Sequence, residues 1–269
     1  MAKVLITTIP FGDKNTLPLE LLENSEIEYL INPFNKKITE DQLTEIITDF
    51  EVIIAGTEPI TEKVLNRATN LKLISRVGIG LDSVDLLAAQ KRGIKVSYTP
   101  DAPSLAVAEL TLGLMLSLLR SIHISNSQMH QGQWYRFFGK RLEEVTVGII
   151  GVGRIGTLVL RRMKGFDTSR ILVNDIKPNL ALDREFKLEW VTKDKIYKEA
   201  DIISLHLPLT HLTKNMIRKE HIQTMKADAT LINISRGGII NETDLHEVMQ
   251  TGHLSGAAID VFDVVSTLI

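Results

Sequence analysis

The sequence predicts an α/β protein of two domains, each a doubly wound parallel sheet. Three observations predict it. Short apolar runs alternate with stretches of helical periodicity along the whole chain. The alternation is interrupted between Tyr98 and Pro103, where two prolines within four residues resist helix and strand alike. After the interruption a buried-strand run, Val145–Ile150, passes directly into a glycine-spaced turn and a new helical pattern.

In order, Val4–Ile6, Val52–Ile54, Leu71–Ile74 and Ile94–Val96 read as strands of the first domain, residues 1–100. Asp41–Phe50, Thr61–Ala68 and Ser83–Gln90 carry apolar residues at helical spacing. Thr61 and Asp82 suit helix N-caps, and Gly93 suits a C-terminal stop. A long helix over Ser104–Ile122 opens the second domain, residues 101–269. It is apolar on more than one face, which suits a dimer interface. A polar, aromatic stretch follows at Gln131–Lys140. Strands are then expected at Val145–Ile150, Ile171–Val173, Ile202–Leu205, Thr230–Ile234 and Gly256–Val261.

Composition narrows the function. The 269 residues are 44% hydrophobic and 24% charged, with a net charge of −2, so no electrostatic drive toward nucleic acid or an anionic membrane is expected. There is no cysteine, which excludes disulfides, thiolate metal sites and a cysteine nucleophile, and no metal site is expected. The opening MAKVLITTIPFGD reads as a first strand and not a signal peptide, so the cytoplasm is the expected compartment.

Gly151-Val-Gly-Arg-Ile-Gly156 follows the run ending at Ile150. In a strand-to-helix turn the first glycine of such a pattern makes the bend, the second admits a pyrophosphate, and the third lets helix pack on strand. The helix N-terminus offers N–H groups and the positive end of its dipole to phosphate. Asp175 stands nineteen residues beyond Gly156, after the next strand, where a carboxylate can accept from the ribose hydroxyls of a dinucleotide. The pattern therefore implies a Rossmann domain that binds NAD. Asp175 repels a 2′-phosphate, with Lys177 softening that discrimination.

Arg236 lies just past a strand's carboxyl end, where open α/β sheets bind ligands, and its planar guanidinium suits a bidentate grip on a carboxylate. Further segments stand in order along the chain: Ser75-Arg-Val-Gly-Ile-Gly-Leu-Asp82, Val107–Leu116, Ser204-Leu-His-Leu-Pro-Leu-Thr210, Asn233-Ile-Ser-Arg-Gly237 and Gly256–Phe262. With the glycine loop, this set resembles the D-2-hydroxyacid dehydrogenases of the phosphoglycerate dehydrogenase and glyoxylate/hydroxypyruvate reductase type, from about Lys3 to Phe262.

The resemblance implies a flavodoxin-like substrate domain before the Rossmann domain, and hydride transfer between NAD(H) and a small 2-hydroxy or 2-oxo acid in a homodimer. It implies that Arg236 binds the substrate carboxylate and carbonyl and that Val77 and Gly78 donate backbone N–H groups to the carboxylate. It places Arg154 and Ile155 at the pyrophosphate and adenosine, and His206, Pro208, Ile234 and Ser235 along the cofactor, with Thr111 facing it. It gives Asp260 the nicotinamide carboxamide. Spacing alone equally allows a strand-end aspartate satisfied by a local turn.

One segment departs from the family. The run Asp260-Val-Phe-Asp-Val-Val265 has Val265 where the resemblance expects a glutamate, and the partner histidine is expected further on than Ile269. Neither His253, in a segment that reads as structural, nor any other histidine matches the family's acid by motif, and His206 is the one substitute. The expectation is of a C-terminally truncated member, lacking the last Rossmann strand and the helix returning to the first domain. The alternative function is a catalytically silent NAD-binding or protein-interaction module.

Overall fold

The computed structural model describes residues 2–263. The chain forms two compact units, Met1–Pro103 and Ser104–Ile269, described in turn.

The first unit runs β1 (Lys3–Ile6), α1 (Leu17–Asn24), β2 (Glu28–Ile31), α2 (Glu40–Ile46), β3 (Val52–Ala55), α3 (Glu62–Arg67), β4 (Leu73–Arg76), α4 (Leu86–Lys91) and β5 (Lys95–Tyr98). Its strands are all parallel in the order β2-β1-β3-β4-β5, the flavodoxin-like order. Leu5, Ile53 and Ile74 are sealed at its centre.

Sequence periodicity missed α1 and β2. The helix buries no residue fully and the strand lies at the sheet edge with only half-buried and exposed positions, so neither carries a clear apolar period. Helix α2 is shorter than the expected 41–50, because it tightens into a 3₁₀ turn at Ile47–Asp49, and a Thr39–Gln42 capping box starts it. The cap of α4 is Asp85, not Asp82: its carboxylate accepts from Ala88 N at 2.9 Å. Thr61 precedes α3 in extended backbone, but its hydroxyl goes to Glu40 and not to its own helix. Gly93, with φ +69°, closes α4 as expected.

The second unit runs α5 (Ser104–Leu119), α6 (Ile122–His130), β6 (Thr146–Ile150), α7 (Arg154–Met163), β7 (Arg170–Asn174), β8 (Leu188–Trp190), α8 (Lys193–Glu199), β9 (Ile202–Leu205), α9 (Lys219–Thr224), β10 (Thr230–Asn233), α10 (Glu242–Gln250) and β11 (Gly256–Ile259). The six parallel strands lie in the order β11-β10-β9-β6-β7-β8, the doubly wound order that reverses beside β6. Among the described residues, β11 takes one edge of this sheet and β8 the other. The expected helix over 104–122 stops at Leu119, where Ser121 adopts φ 51° and turns the chain into α6. Strand β11 ends at Ile259, two residues early, which leaves Asp260 in the loop behind it.

Each face of this sheet carries its own core. Val147, Ile149, Val173 and Ile232 pack with α5 and α7, while Ile150, Leu172, Ile203 and Leu231 pack with α8, α9 and α10. Gly148 decides how closely α8 lies: a Cβ there would strike the Ile196 side chain. No single described helix is long and apolar enough to cross a membrane, and α5 and α6 meet that length and apolarity only as a pair bent by 68°.

Candidate functional site

The glycine turn between β6 and α7 has three glycines with three different jobs. Gly151 sits at φ +96°, and a Cβ on it would collide with the carbonyl oxygen of His206. Gly156 lies so close under the turn that a Cβ would collide with the carbonyl oxygen of Gly151. Around Gly153 nothing lies within 4 Å of the corresponding Cβ position. Two glycines are thus required by backbone contact within the fold, while the one at the helix N-cap faces open space. That opening, at the positive end of α7, is what a pyrophosphate needs.

Asp175, directly after β7, is tied to this turn. Its Oδ2 accepts from Val152 N at 2.7 Å and its Oδ1 from Lys177 N at 2.9 Å. The carboxylate therefore braces the loop as well as standing where ribose hydroxyls are expected, and Ile176 beside it is fully exposed. The residues fit a dinucleotide in glycine spacing, open N-cap and acidic strand end. Arg154 heads α7 with an exposed side chain, and Ile155 is half-buried against the core.

His206 follows β9 beside the turn, its N–H bonded to Ile150 O at 2.8 Å. Its Nε2 meets Ser204 Oγ at 3.0 Å, and its Nδ1 is sealed without a partner. Burial pulls the imidazole pKa down to about 4, so the ring is neutral near pH 7 and ill suited to deliver a proton as a general acid. Pro208 is exposed, and its carbonyl accepts from Thr213 Oγ1 at 2.6 Å. Thr111 is fully buried on α5 and its hydroxyl donates to Val107 O within its own helix at 2.8 Å.

Arg236 stands on the loop after β10. Asn233 organises that loop: its Nδ2 donates to Arg236 O at 2.8 Å, and its Oδ1 accepts from Ser235 N at 3.1 Å and Ser235 Oγ at 2.8 Å. Arg236 Nη1 donates to Ser235 O at 2.6 Å. Ile234 packs into the core and Ser235 is buried, so both support the loop, and Asn233, 2% exposed, is the positioning residue that the sequence reading quoted but did not single out. Asp260 is exposed past β11; its N–H donates to Asn233 O at 3.1 Å, and with Leu110, Ser117 and His123 it lines a pocket of about 320 Å³.

In the first unit, Val77 and Gly78 follow β4 as expected, but their N–H groups are already committed. Val77 N donates to Ala55 O at 2.9 Å, extending the sheet, and Gly78 N donates to Thr99 Oγ1 at 2.8 Å. The next two, Ile79 and Gly80, have no acceptor among the described residues. Donors without a described acceptor thus lie two residues further along the same loop. Val265 lies outside the described residues.

Residues 112–266 match the family described as D-isomer specific 2-hydroxyacid dehydrogenase, NAD binding domain. D-3-phosphoglycerate dehydrogenase of Methanocaldococcus jannaschii is 38% identical over 98% of this chain, which spans 49% of that protein's length. Hydroxypyruvate reductase of Thermotoga maritima is 36% identical over 94% of this chain and 80% of its own. The crystal structure of D-lactate dehydrogenase from Aquifex aeolicus, complexed with NAD and lactic acid, superposes with a TM-score of 0.85 at 26% identity, over 97% of this chain and 77% of that one. With the glycine turn, the braced aspartate and two doubly wound sheets behind it, the chain belongs to the D-isomer specific 2-hydroxyacid dehydrogenase family.

Proposed function

We propose that the protein is an NAD-dependent oxidoreductase of small D-2-hydroxy acids and their 2-oxo counterparts. The observation that carries this reading is the turn in which Gly151 and Gly156 are demanded by backbone contact while Gly153 faces open space, with Asp175 braced against it. NAD would supply the hydride acceptor or donor. The chain's own residues bind and polarise: the α7 N-terminus faces the pyrophosphate, and Asp175 accepts from the ribose. Ile79 and Gly80, on the loop that also carries Val77 and Gly78, offer N–H groups to the substrate carboxylate. Arg236 neutralises charge developing on the substrate oxygen, held in place by Asn233. Asp260 holds the carboxamide end of the cofactor.

The protein is proposed to work in the cytoplasm as a homodimer, independent of nucleic acid and membrane. The apolar residues left exposed on α5 and α6, Leu105, Leu110, Ile122, Ile124 and Met129, support the dimer. Light scattering at micromolar concentration checks it, and a monomer contradicts it.

The activity is tested by NADH oxidation with glyoxylate, hydroxypyruvate and pyruvate, alongside calorimetric titration with NADH. Turnover that falls about 100-fold or more in Arg236→Gln supports the reading. NADH binding without turnover on any of the three favours the silent NAD-binding module, and absence of NADH binding refutes both.

A further inference from the structure

All four buried polar side chains described in the first unit stand at the carboxyl ends of neighbouring strands: Asn32 after β2, Thr7 after β1, Glu58 on the loop after β3 and Arg76 at the end of β4. Three of them form one hydrogen-bonded row. Asn32 Nδ2 donates to Thr7 O at 3.2 Å, Thr7 Oγ1 donates to Glu58 Oε1, and Gly56 N donates to the same oxygen at 3.0 Å. Glu58 is 2% exposed. Among the described residues its Oε2 accepts no hydrogen bond, and no Lys or Arg makes an ion pair with it. Glutamate is almost never buried without a cationic partner. A carboxylate kept so at the ligand edge of an α/β sheet calls for a role.

We propose that Glu58 sets the substrate class: the first unit's site takes a two-carbon acid, or a three-carbon acid ending in a methyl or hydroxymethyl group, and rejects a three-carbon acid whose third carbon bears a phosphate or is itself a carboxylate. This rests on the dehydrogenase reading above. The donors assigned to the substrate carboxylate follow β4. The register Ala55↔Arg76 puts Gly56 alongside Val77, one strand spacing away, about 4.8 Å. The third carbon is two bonds from the carboxylate carbon, so a substituent on it is within reach of the loop after β3, one strand spacing away. There an added anion meets the Glu58 carboxylate in poorly screened surroundings, whereas a hydroxyl does not.

Basic groups on this edge do not offset the effect. Lys14, on the loop after β1, and Lys36 and Lys37, on the loop after β2, are all exposed, so solvent screens their charge. Arg76 folds over Gly78, with Nη1 donating to Val77 O, which keeps its charge at the β4 loop, beside the substrate's own carboxylate.

The test needs no turnover. The full chain, saturated with NADH, is titrated calorimetrically with D-glycerate, 3-phospho-D-glycerate and tartronate, all already reduced and so unreactive with NADH. D-glycerate is expected to bind roughly tenfold or more tighter than either acid bearing a second anionic group. Tartronate separates charge from bulk, because its extra carboxylate is no larger than the hydroxymethyl group of glycerate by more than an atom. Glu58→Gln keeps an acceptor for Gly56 and Thr7, and is expected to tighten 3-phosphoglycerate roughly fivefold or more while changing glycerate less than about threefold. Equal or tighter binding of 3-phosphoglycerate or tartronate by the wild-type protein overturns the proposal. So does an unchanged ratio in Glu58→Gln, or binding of no acid to the NADH complex. Should Glu58→Gln fail to fold, the three wild-type affinities still decide. Loss of NADH binding by the wild type instead removes the reading on which the inference rests.

Discussion

Both sheets gather their chemistry at the carboxyl ends of parallel strands, but they build that edge from opposite materials. The second unit uses backbone: glycines at 151 and 156 bring main chain against main chain, Gly153 leaves open space between them, and one carboxylate ties the turn. The first unit uses buried side chains, Asn32, Thr7 and Glu58, that satisfy one another across three strands. The difference teaches where tolerance lies. A backbone edge fails when any atom is added at a contact point, and a side-chain edge fails when a partner is removed.

The largest effect is expected at Gly156. Its alanine variant drives a Cβ into the Gly151 carbonyl, which cannot swing aside. Overpacking of this kind costs about 3 kcal/mol, visible as a lower urea midpoint, and NADH binding should fall below detection. Gly153→Ala, which meets nothing within 4 Å, should leave the urea midpoint unchanged and weaken only the cofactor. Equal destabilisation by the two would erase the distinction between structural and ligand-facing glycines.

Next comes His206, the buried titratable group beside the backbone edge. Its folded pKa of about 4 lies below the unfolded value of about 6.5. The unfolded chain therefore binds a proton first on acidification. The histidine's stabilisation is complete above pH 6.5 and is lost as pH falls toward 4. With allowance for the part of the residue that water reaches, the loss is about 2 kcal/mol. Urea midpoints of the wild type and His206→Asn across this window should converge as pH falls; parallel curves would show that the ring is not desolvated in solution.

In the first unit, Asn32→Ala removes the donor to Thr7 O and Lys36 O and the acceptor of Phe34 N. A buried group left unpaired costs about 1–3 kcal/mol. Hydrogen exchange should show the loss in residues 2–100 and leave the second unit protected. A global loss would mean that the two edges are not independent.

The two materials also explain what the sequence revealed. The glycine turn was legible because a backbone that must approach backbone has one residue type to use, and because Val145–Ile150 and Asp175 frame it. Arg236 was legible from its place after a strand. The row in the first unit was not, since Thr7, Asn32 and Glu58 are ordinary loop residues until tertiary structure brings them together. The same limit applies to the loop after β4. Nothing local shows that the N–H groups of Val77 and Gly78 are taken by Ala55 and Thr99, residues 22 and 21 positions away. The bond from Thr111 to Val107 O is a choice of rotamer that spacing does not report.

The smallest and most discriminating effect concerns Asp175, where the two materials meet. It is the carboxylate bracing the backbone edge, through Val152 and Lys177, and it is also assigned to the ribose. The roles separate by substitution. Asp175→Asn keeps an oxygen for one brace but loses the charge that repels a 2′-phosphate, so NADH should weaken only a few-fold while NADPH gains. Asp175→Ala loses both, so the turn loosens and NADH should weaken about tenfold, equivalent to about 1.4 kcal/mol, with NADPH losing less. Calorimetric titration of both nucleotides against both variants gives four affinities. An unchanged NADH to NADPH ratio in Asp175→Asn would leave Asp175 as a brace alone and make the second edge depend on a buried-type contact, as the first does. A shifted ratio with an intact urea midpoint would keep the edges distinct, with Asp175 facing the ligand.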